Sequence, residues 1–560
     1  MVPAMRPLLC SAALLLTALA HLPGADLPAS AFPLRFTAAE AQGGQASEDR
    51  QSVRLLAAAD TTQEVRWTFP GTIPAGNWRL TVEFDPQGKG VRNQVLGFVA
   101  EHTPLVDCFN VDPKAPRSFV LISTAPATGL LYRKSTQRNQ DTLAIRTLTL
   151  EPVATPSPEE RWCFDCPVVE GRASFPWPLP PGNLRATSSA AATLTWITTG
   201  GSFTTPAATR TNVEVSTPLT AITVQGGGPR LTVERHPPVP MPDMPAGDAP
   251  LMTTVDTARP ETRTLTLVGT ATTRPALATF PGGKRQAIFT TWDDGPANDL
   301  LVAGLLKERG FRGTFVINRN SAMYAKMAEL EGLGMEIGSH SWSHPTYGVS
   351  GYARCRAESV QMRRILERDL GHPVISFAYP FGYQPAYDEQ GDYVLRSIAD
   401  AGYWYARATR NGPNRIDSIT SPLTLTPDFH FATGGPAIEA RFTELTATEG
   451  CVFHVWGHSY EVVGPAKDTL VAVLDRLAGR PDTWYATGGQ VFVWRWMRQN
   501  TVITPAPAAA EGSSFTVTRP WLHPYLATVP MTLRIPDGVE AVIWKGERHP
   551  VQQGVVDLAW

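Results

Sequence analysis

Net charge, long apolar runs and cysteine are all scarce in this chain. There are 49 lysines and arginines against 51 aspartates and glutamates, which leaves −2 with histidine neutral. That balance gives no electrostatic basis for binding nucleic acid. The apolar run Leu8–Leu19 is too short to span a bilayer comfortably, and no later stretch reaches the roughly 18 apolar residues that a membrane helix needs. Cysteines number six in 560 residues. Cys10 lies inside the apolar run and not at its end, which argues against a lipoprotein anchor. The other five, Cys108, Cys163, Cys166, Cys355 and Cys451, are odd in number, so at least one stays unpaired within the chain. Cys163 and Cys166 have no second cysteine pair to complete a zinc site; a local disulfide or two free thiols are the better readings.

What is present begins with an export signal. Arg6 precedes the apolar run, and Ala18-Leu19-Ala20 is a small-x-small cleavage site. The expectation is a signal peptide over 1–20, a secreted, periplasmic or cell-envelope protein, and no membrane span after cleavage. The length suggests three or four domains. Fifty prolines, 46 glycines and 15 tryptophans suit β-rich modules with many turns.

Residues 31–154 alternate in the manner of strands: Val65, Trp67 and Phe69, then Leu80, Val82 and Phe84. The expected fold is a β-sandwich, and its closing strands look like those of carbohydrate-binding modules. Residues 155–236 read as a second, smaller β module rich in Thr and Ser. A Pro-rich linker with short strands covers 237–283. From 284 to 499 strands alternate with amphipathic helices about seven times, which argues for a parallel, TIM-like (β/α)7 barrel. Residues 500–560 form a β-rich tail. The fold class is thus a multidomain chain with a barrel behind β-sandwich modules.

The polar residues to note sit where barrel strands end, and barrel active sites form at that rim. The run Ile288–Thr291 leads into Asp293 and Asp294, and Gly295-Pro296 then breaks the strand. Eleven histidines scattered at random would give roughly 0.2 His-x-x-x-His pairs. This chain has two, His340/His344 and His454/His458. Two imidazoles and a carboxylate make a common open site for a divalent ion.

Thr291-Trp-Asp-Asp-Gly-Pro296 together with His340-Ser-Trp-Ser-His344 resembles the polysaccharide deacetylase family, the NodB-homology domain of carbohydrate esterase family 4. The resemblance spans about 284–497. It implies a distorted barrel, Asp293 as catalytic base, and Asp294, His340 and His344 as ligands of a divalent metal. Zinc is the default, with nickel or cobalt as alternatives. The family's third motif contains Arg-Pro-Pro-Tyr-Gly, whose arginine supports the base. This chain has Ala378-Tyr379-Pro380-Phe381-Gly382 there, so that arginine is absent, and Arg407 at another expected strand end is the candidate replacement. By the same resemblance the Phe381 backbone N–H serves the oxyanion and His458 is the general acid. His454 is then a neighbouring or packed residue, and Tyr379, His430 and Trp456 are further candidates for the rim. The implied substrate is an acetylated polysaccharide or oligosaccharide. N-deacetylation of N-acetylglucosamine glycans is the leading expectation. The alternatives are an O-acetyl esterase on xylan or an exopolysaccharide, and a catalytically weak glycan-binding protein of the cell envelope.

Overall fold

The computed structural model describes residues 26–43, 45–47, 51–54, 63–85, 94–100, 105–107, 117–134, 144–154, 160–236, 241–244, 250–270, 273–382, 393–409 and 412–560. The expected signal peptide, Cys10 and Cys108 lie outside these residues. The chain divides into two compact units, 1–239 and 240–560.

In the first unit, a four-stranded antiparallel sheet (Gln63–Ile73, Ala127–Lys134, Gln94–Ala100, Leu105–Asp107) shares one apolar core with strands such as Gly76–Phe84 and Ile145–Pro152 of a larger sheet. Val65, Trp67, Leu80 and Val82 point into that core, as their alternation requires. The larger sheet does not stop at the module boundary expected near 154. Strand Arg161–Pro167 pairs in parallel with Arg117–Ser123, so both β modules belong to one 12-stranded sheet. Cys163 and Cys166 sit three apart on that strand and therefore face opposite sides. Cys163 packs into the first core and Cys166 into the second, and both are free thiols, which removes the local disulfide.

The second unit holds the βα segment. Its elements are β1 Gln286–Asp293, α1 Asp299–Glu308, β2 Gly313–Ile317, α2 Met327–Gly332, β3 Glu336–Ser339, α3 Tyr352–Leu370, β4 Ser376–Ala378, α4 Tyr393–Asp400, β5 Tyr405–Arg407, β6 Phe429–His430, α5 Gly435–Thr446, β7 Val452–His458, α6 Pro465–Leu477, β8 Thr483–Tyr485 and α7 Gly488–Asn500. The strands pair in parallel in the order β5-β4-β3-β2-β1-β7-β6, with β8 also on β1. This is a curled sheet whose ladder runs as an open path among the described residues, where the periodicity suggested a barrel. Helices flank it, so β1 is buried along its whole length and reads as a near-continuous apolar run.

The short strands before this segment and the tail after it make a second structure together. Strand Val255–Gly269 lies between Gly512–Leu522 and Val539–Trp544 in a five-stranded antiparallel sheet. The βα segment is therefore inserted between sequence-distant neighbours of one sheet.

Candidate metal centre and its surroundings

β1 ends in the two acids. Asp293 keeps strand geometry and is 3 % exposed, while Asp294 turns into the left-handed region at φ 74°, followed by Gly295 at φ 64°. The turn parts the two carboxylates, and Gly295 is required in it: a Cβ there would lie 2.7 Å from Ser321. Among the described residues seven non-glycines have positive φ, and four of them, Asp294, Ser341, His344 and Phe381, lie around this one site. Backbone held in a costly region at one place is the mark of a site that surrounding structure constrains.

His340 follows β3 directly. The backbone N–H of His344 donates to the Ser341 hydroxyl at 3.0 Å, which closes the loop back on itself. Buried Glu358 of α3 pins that loop by accepting from the Ser343 N–H at 2.7 Å and the Ser343 hydroxyl at 2.6 Å. As a result His340 Nε2 and His344 Nε2 stand 3.1 Å apart, and Asp294 Oδ1 lies 3.3 Å from the first and 3.2 Å from the second. His340 is 1 % exposed, and its Nδ1–H donates to the Ala378 carbonyl at 2.8 Å. With Nδ1–H turned to that carbonyl, Nε2 is the ring nitrogen of His340 that faces the other two atoms. Burial, only partly offset by Asp294, holds the His344 ring below the usual histidine range and therefore neutral. Two imidazole nitrogens and a carboxylate oxygen within 3.3 Å of one another are a donor set for a cation. Donor atoms about 2.0–2.1 Å from one zinc ion lie roughly 3.0–3.4 Å from one another, which matches the spacing found here. These residues fit a divalent ion.

Asp293 is gripped from β5. Nη2 of Arg407 donates to both its carboxylate oxygens, and the guanidinium lies over the Trp456 ring, 4.7 Å from its centroid. Arg407, the candidate replacement for the missing third-motif arginine, thus contacts Asp293.

The parallel register sets Asp293 level with His458, the last residue of β7. His458 Nε2 lies 4.0 Å from Asp293 Oδ2 and 3.9 Å from Asp294 Oδ2. Its Nδ1 lies 3.3 Å from Glu461, whose other oxygen is 2.9 Å from His430 Nε2. His430 Nδ1 accepts the Ala432 N–H at 3.3 Å, so its proton sits on Nε2 and is given to Glu461. These three side chains also meet the spacing of a metal cluster. The tautomer of His430 makes Glu461 its acceptor, and the same carboxylate stands in ion-pair range of His458. Burial lowers His458, but Glu461 and the two aspartates outweigh it, and the net shift is upward. Burial works against the Glu461 charge, but the two histidines hold it down at about 2.

Of the remaining expected residues, Phe381 has φ 56° and its ring edge-on to His344 at 4.4 Å. Trp456 and His430 line the same corner, 4.8 Å apart. Tyr379 is a correction: it is fully buried and its hydroxyl donates to the Leu423 carbonyl, away from the rim. His454 is packed, stacked on Phe289 at 4.1 Å with Nε2 2.9 Å from the Thr291 hydroxyl. Two residues escaped the sequence reading. Glu461 had a signal, a carboxylate three places after a strand-end histidine; it also accepts the His458 N–H at 3.3 Å. Asp299 had none, because a single acid at a helix start is ordinary. It is fully buried, accepts from the Ser459 hydroxyl at 2.5 Å, and is pushed up to about 8 by burial and then by the charges of Asp293 and Asp294.

The family model described as polysaccharide deacetylase matches residues 281–406. No curated protein matches the chain. Among solved structures it is similar to a chitin deacetylase from Colletotrichum lindemuthianum, at 18 % identity over 40 % of this chain and 92 % of that one, with a TM-score of 0.28. It is similar also to a family 4 carbohydrate esterase from Streptomyces lividans, at 17 % identity over 36 % and 91 %, with a TM-score of 0.27. A third is a family 4 pseudoenzyme from Bacillus anthracis, at 15 % identity over 37 % and 66 %, with a TM-score of 0.26. The matched segment contains Asp293, Asp294, His340 and His344 and stops one residue short of Arg407. The likeness to the polysaccharide deacetylase family is carried by residues 281–406.

Proposed function

We propose that this chain is a secreted, metal-dependent deacetylase that hydrolyses N-acetyl groups of glycans containing N-acetylglucosamine. One observation carries the reading. Three potential ligand atoms, two imidazole nitrogens and a carboxylate oxygen, converge at 3.1–3.3 Å beside a clamped carboxylate and a protonatable imidazole that faces both acids. A divalent ion held by Asp294, His340 and His344 supplies polarisation of the acyl carbonyl and acidification of water; zinc is the default for this donor set. Asp293, oriented by Arg407, takes the proton of the attacking water. The Phe381 backbone N–H, by family resemblance, serves the developing oxyanion. His458 gives its Nε2 proton to the leaving nitrogen or oxygen. Glu461 keeps that proton in place to higher pH, which suits an amine, a leaving group that departs only when protonated.

An O-acetyl esterase uses the same residues and differs only in the leaving atom. The missing third-motif arginine is the ground for a catalytically weak glycan-binding protein, and the contact between Arg407 and Asp293 weakens it. The test is acetate release from N-acetylglucosamine oligomers, acetylated xylan and an O-acetylated exopolysaccharide, with and without chelator. Release from the first, lost on chelation and restored by zinc, is expected. Release from the ester substrates alone reassigns the protein as an esterase, and no release with any metal overturns the deacylase reading.

A further inference from the structure

Beside His458 lies an aromatic side chain that the chemistry above does not use. Tyr460 is 49 % exposed, and its ring is stacked on that of His458 at a centroid distance of 4.9 Å and an interplanar angle of 28°. The turn that carries it, Ser459–Glu461, is fixed on both sides of the ring. Ser459 is buried and donates to buried Asp299 at 2.5 Å. Glu461 is held by His458 and His430, and the next residue, Val462, is buried. Val463 then re-emerges at 58 % exposure. An exposed tyrosine in this setting loses little conformational entropy on contact, because its support is already ordered. One face is covered by the general acid, and the ring is still half open to solvent.

We propose that Tyr460 is a sugar-stacking, specificity-determining residue. Its open surface receives the apolar face of a pyranose ring on the leaving-group side of the acyl group, and this selects oligomeric glycans over small acyl compounds. The chemistry is that of an amphipathic ring: a pyranose offers a patch of C–H groups to an aromatic face and hydroxyls to water. Position identifies which sugar is meant. His458 must deliver its proton to the atom joining the acyl group to the sugar, so the ring bearing that atom, or its neighbour in the chain, lies next to whatever is stacked on His458. This inference rests on the deacylase reading, and its test separates the two.

The experiment compares the full chain with Tyr460→Ala, Tyr460→Phe and Tyr460→Trp on an N-acetylglucosamine tetramer, an acetylated xylotetraose and 4-nitrophenyl acetate, which has no sugar. For Tyr460→Ala, the ratio of kcat/KM on the preferred tetramer to that on 4-nitrophenyl acetate falls about tenfold, mostly through KM. Phe and Trp restore it. An unchanged ratio, or a loss confined to kcat and shared equally by all substrates, overturns the proposal, since Tyr460 would then only support His458. Binding of both tetramers to Asp293→Asn and to Asp293→Asn/Tyr460→Ala gives the second readout. Weaker binding in the double variant sustains the stacking role even if the wild type releases no acetate, in which case the deacylase reading falls alone. Equal binding by the two, or none by either, overturns the stacking role.

Discussion

The two His-x-x-x-His pairs share a spacing and almost nothing else. His340 and His344 lie in a loop that doubles back, and their Nε2 atoms meet at 3.1 Å. His454 and His458 lie on one strand and share its face, but four strand residues span about 13 Å, so they cannot grip one ion. The strand sends one ring into the core against Phe289 and leaves the other at the rim level with Asp293. Equal spacing in sequence therefore indicates a shared ligand only where the backbone folds back. Along a strand it indicates one face at two depths.

Substitutions can break that contrast. The largest effect belongs to the first pair: His340→Ala or Asp294→Ala should abolish bound metal by elemental analysis and lower acetate release at least about a thousandfold. Full activity with no metal in either variant would end the ion-site assignment. Asp293→Asn should keep its metal yet lose roughly 10²–10⁴ in kcat, which separates the base from its neighbour in sequence. In the second pair, Glu461→Gln removes the largest influence raising His458. A raised acid is protonated, and active, below its pKa and loses activity as pH rises through it. The variant's kcat profile should therefore fall at lower pH than that of the wild type, and an unmoved alkaline limb would mean that His458 is not the acid. The smallest catalytic effect is expected at the buried partner. His454→Leu should retain metal and change the rate by less than about threefold, while losing about 1–3 kcal/mol of stability in denaturant unfolding as Thr291 loses its partner.

Local pattern made much of the catalytic segment readable. Alternating strands and helices, the strand-end position of Asp293 and Asp294, and the strand that leads to His458 all follow from short-range periodicity. The β6 strand and α5 were not read, because β6 has only two residues and α5 opens on Gly435-Pro436, which looks like a turn. Arg407 could be named only as a candidate, since its contact with Asp293 spans 114 positions. Tyr379 was misplaced because it directly follows the end of β4, a position that sequence alone assigns to the rim, while its own ring is buried. The joining of the two N-terminal modules into one sheet depends on the parallel pairing of Arg161–Phe164 with Phe119–Ile122, and no periodicity carries that register.

The sheet that brackets the catalytic segment has a consequence for synthesis. The Thr262 and Thr518 hydroxyls meet at 3.2 Å across 256 positions. During translation, strand 255–269 emerges long before either neighbour exists, a wait on the order of ten seconds to a minute at ribosomal speeds. In that interval it offers unpaired edges on both sides, open to pairing with another nascent chain. A truncated protein ending at Asn500 would keep that liability permanently, so the smallest fragment worth expressing for the catalytic segment runs from before Val255 to Trp560.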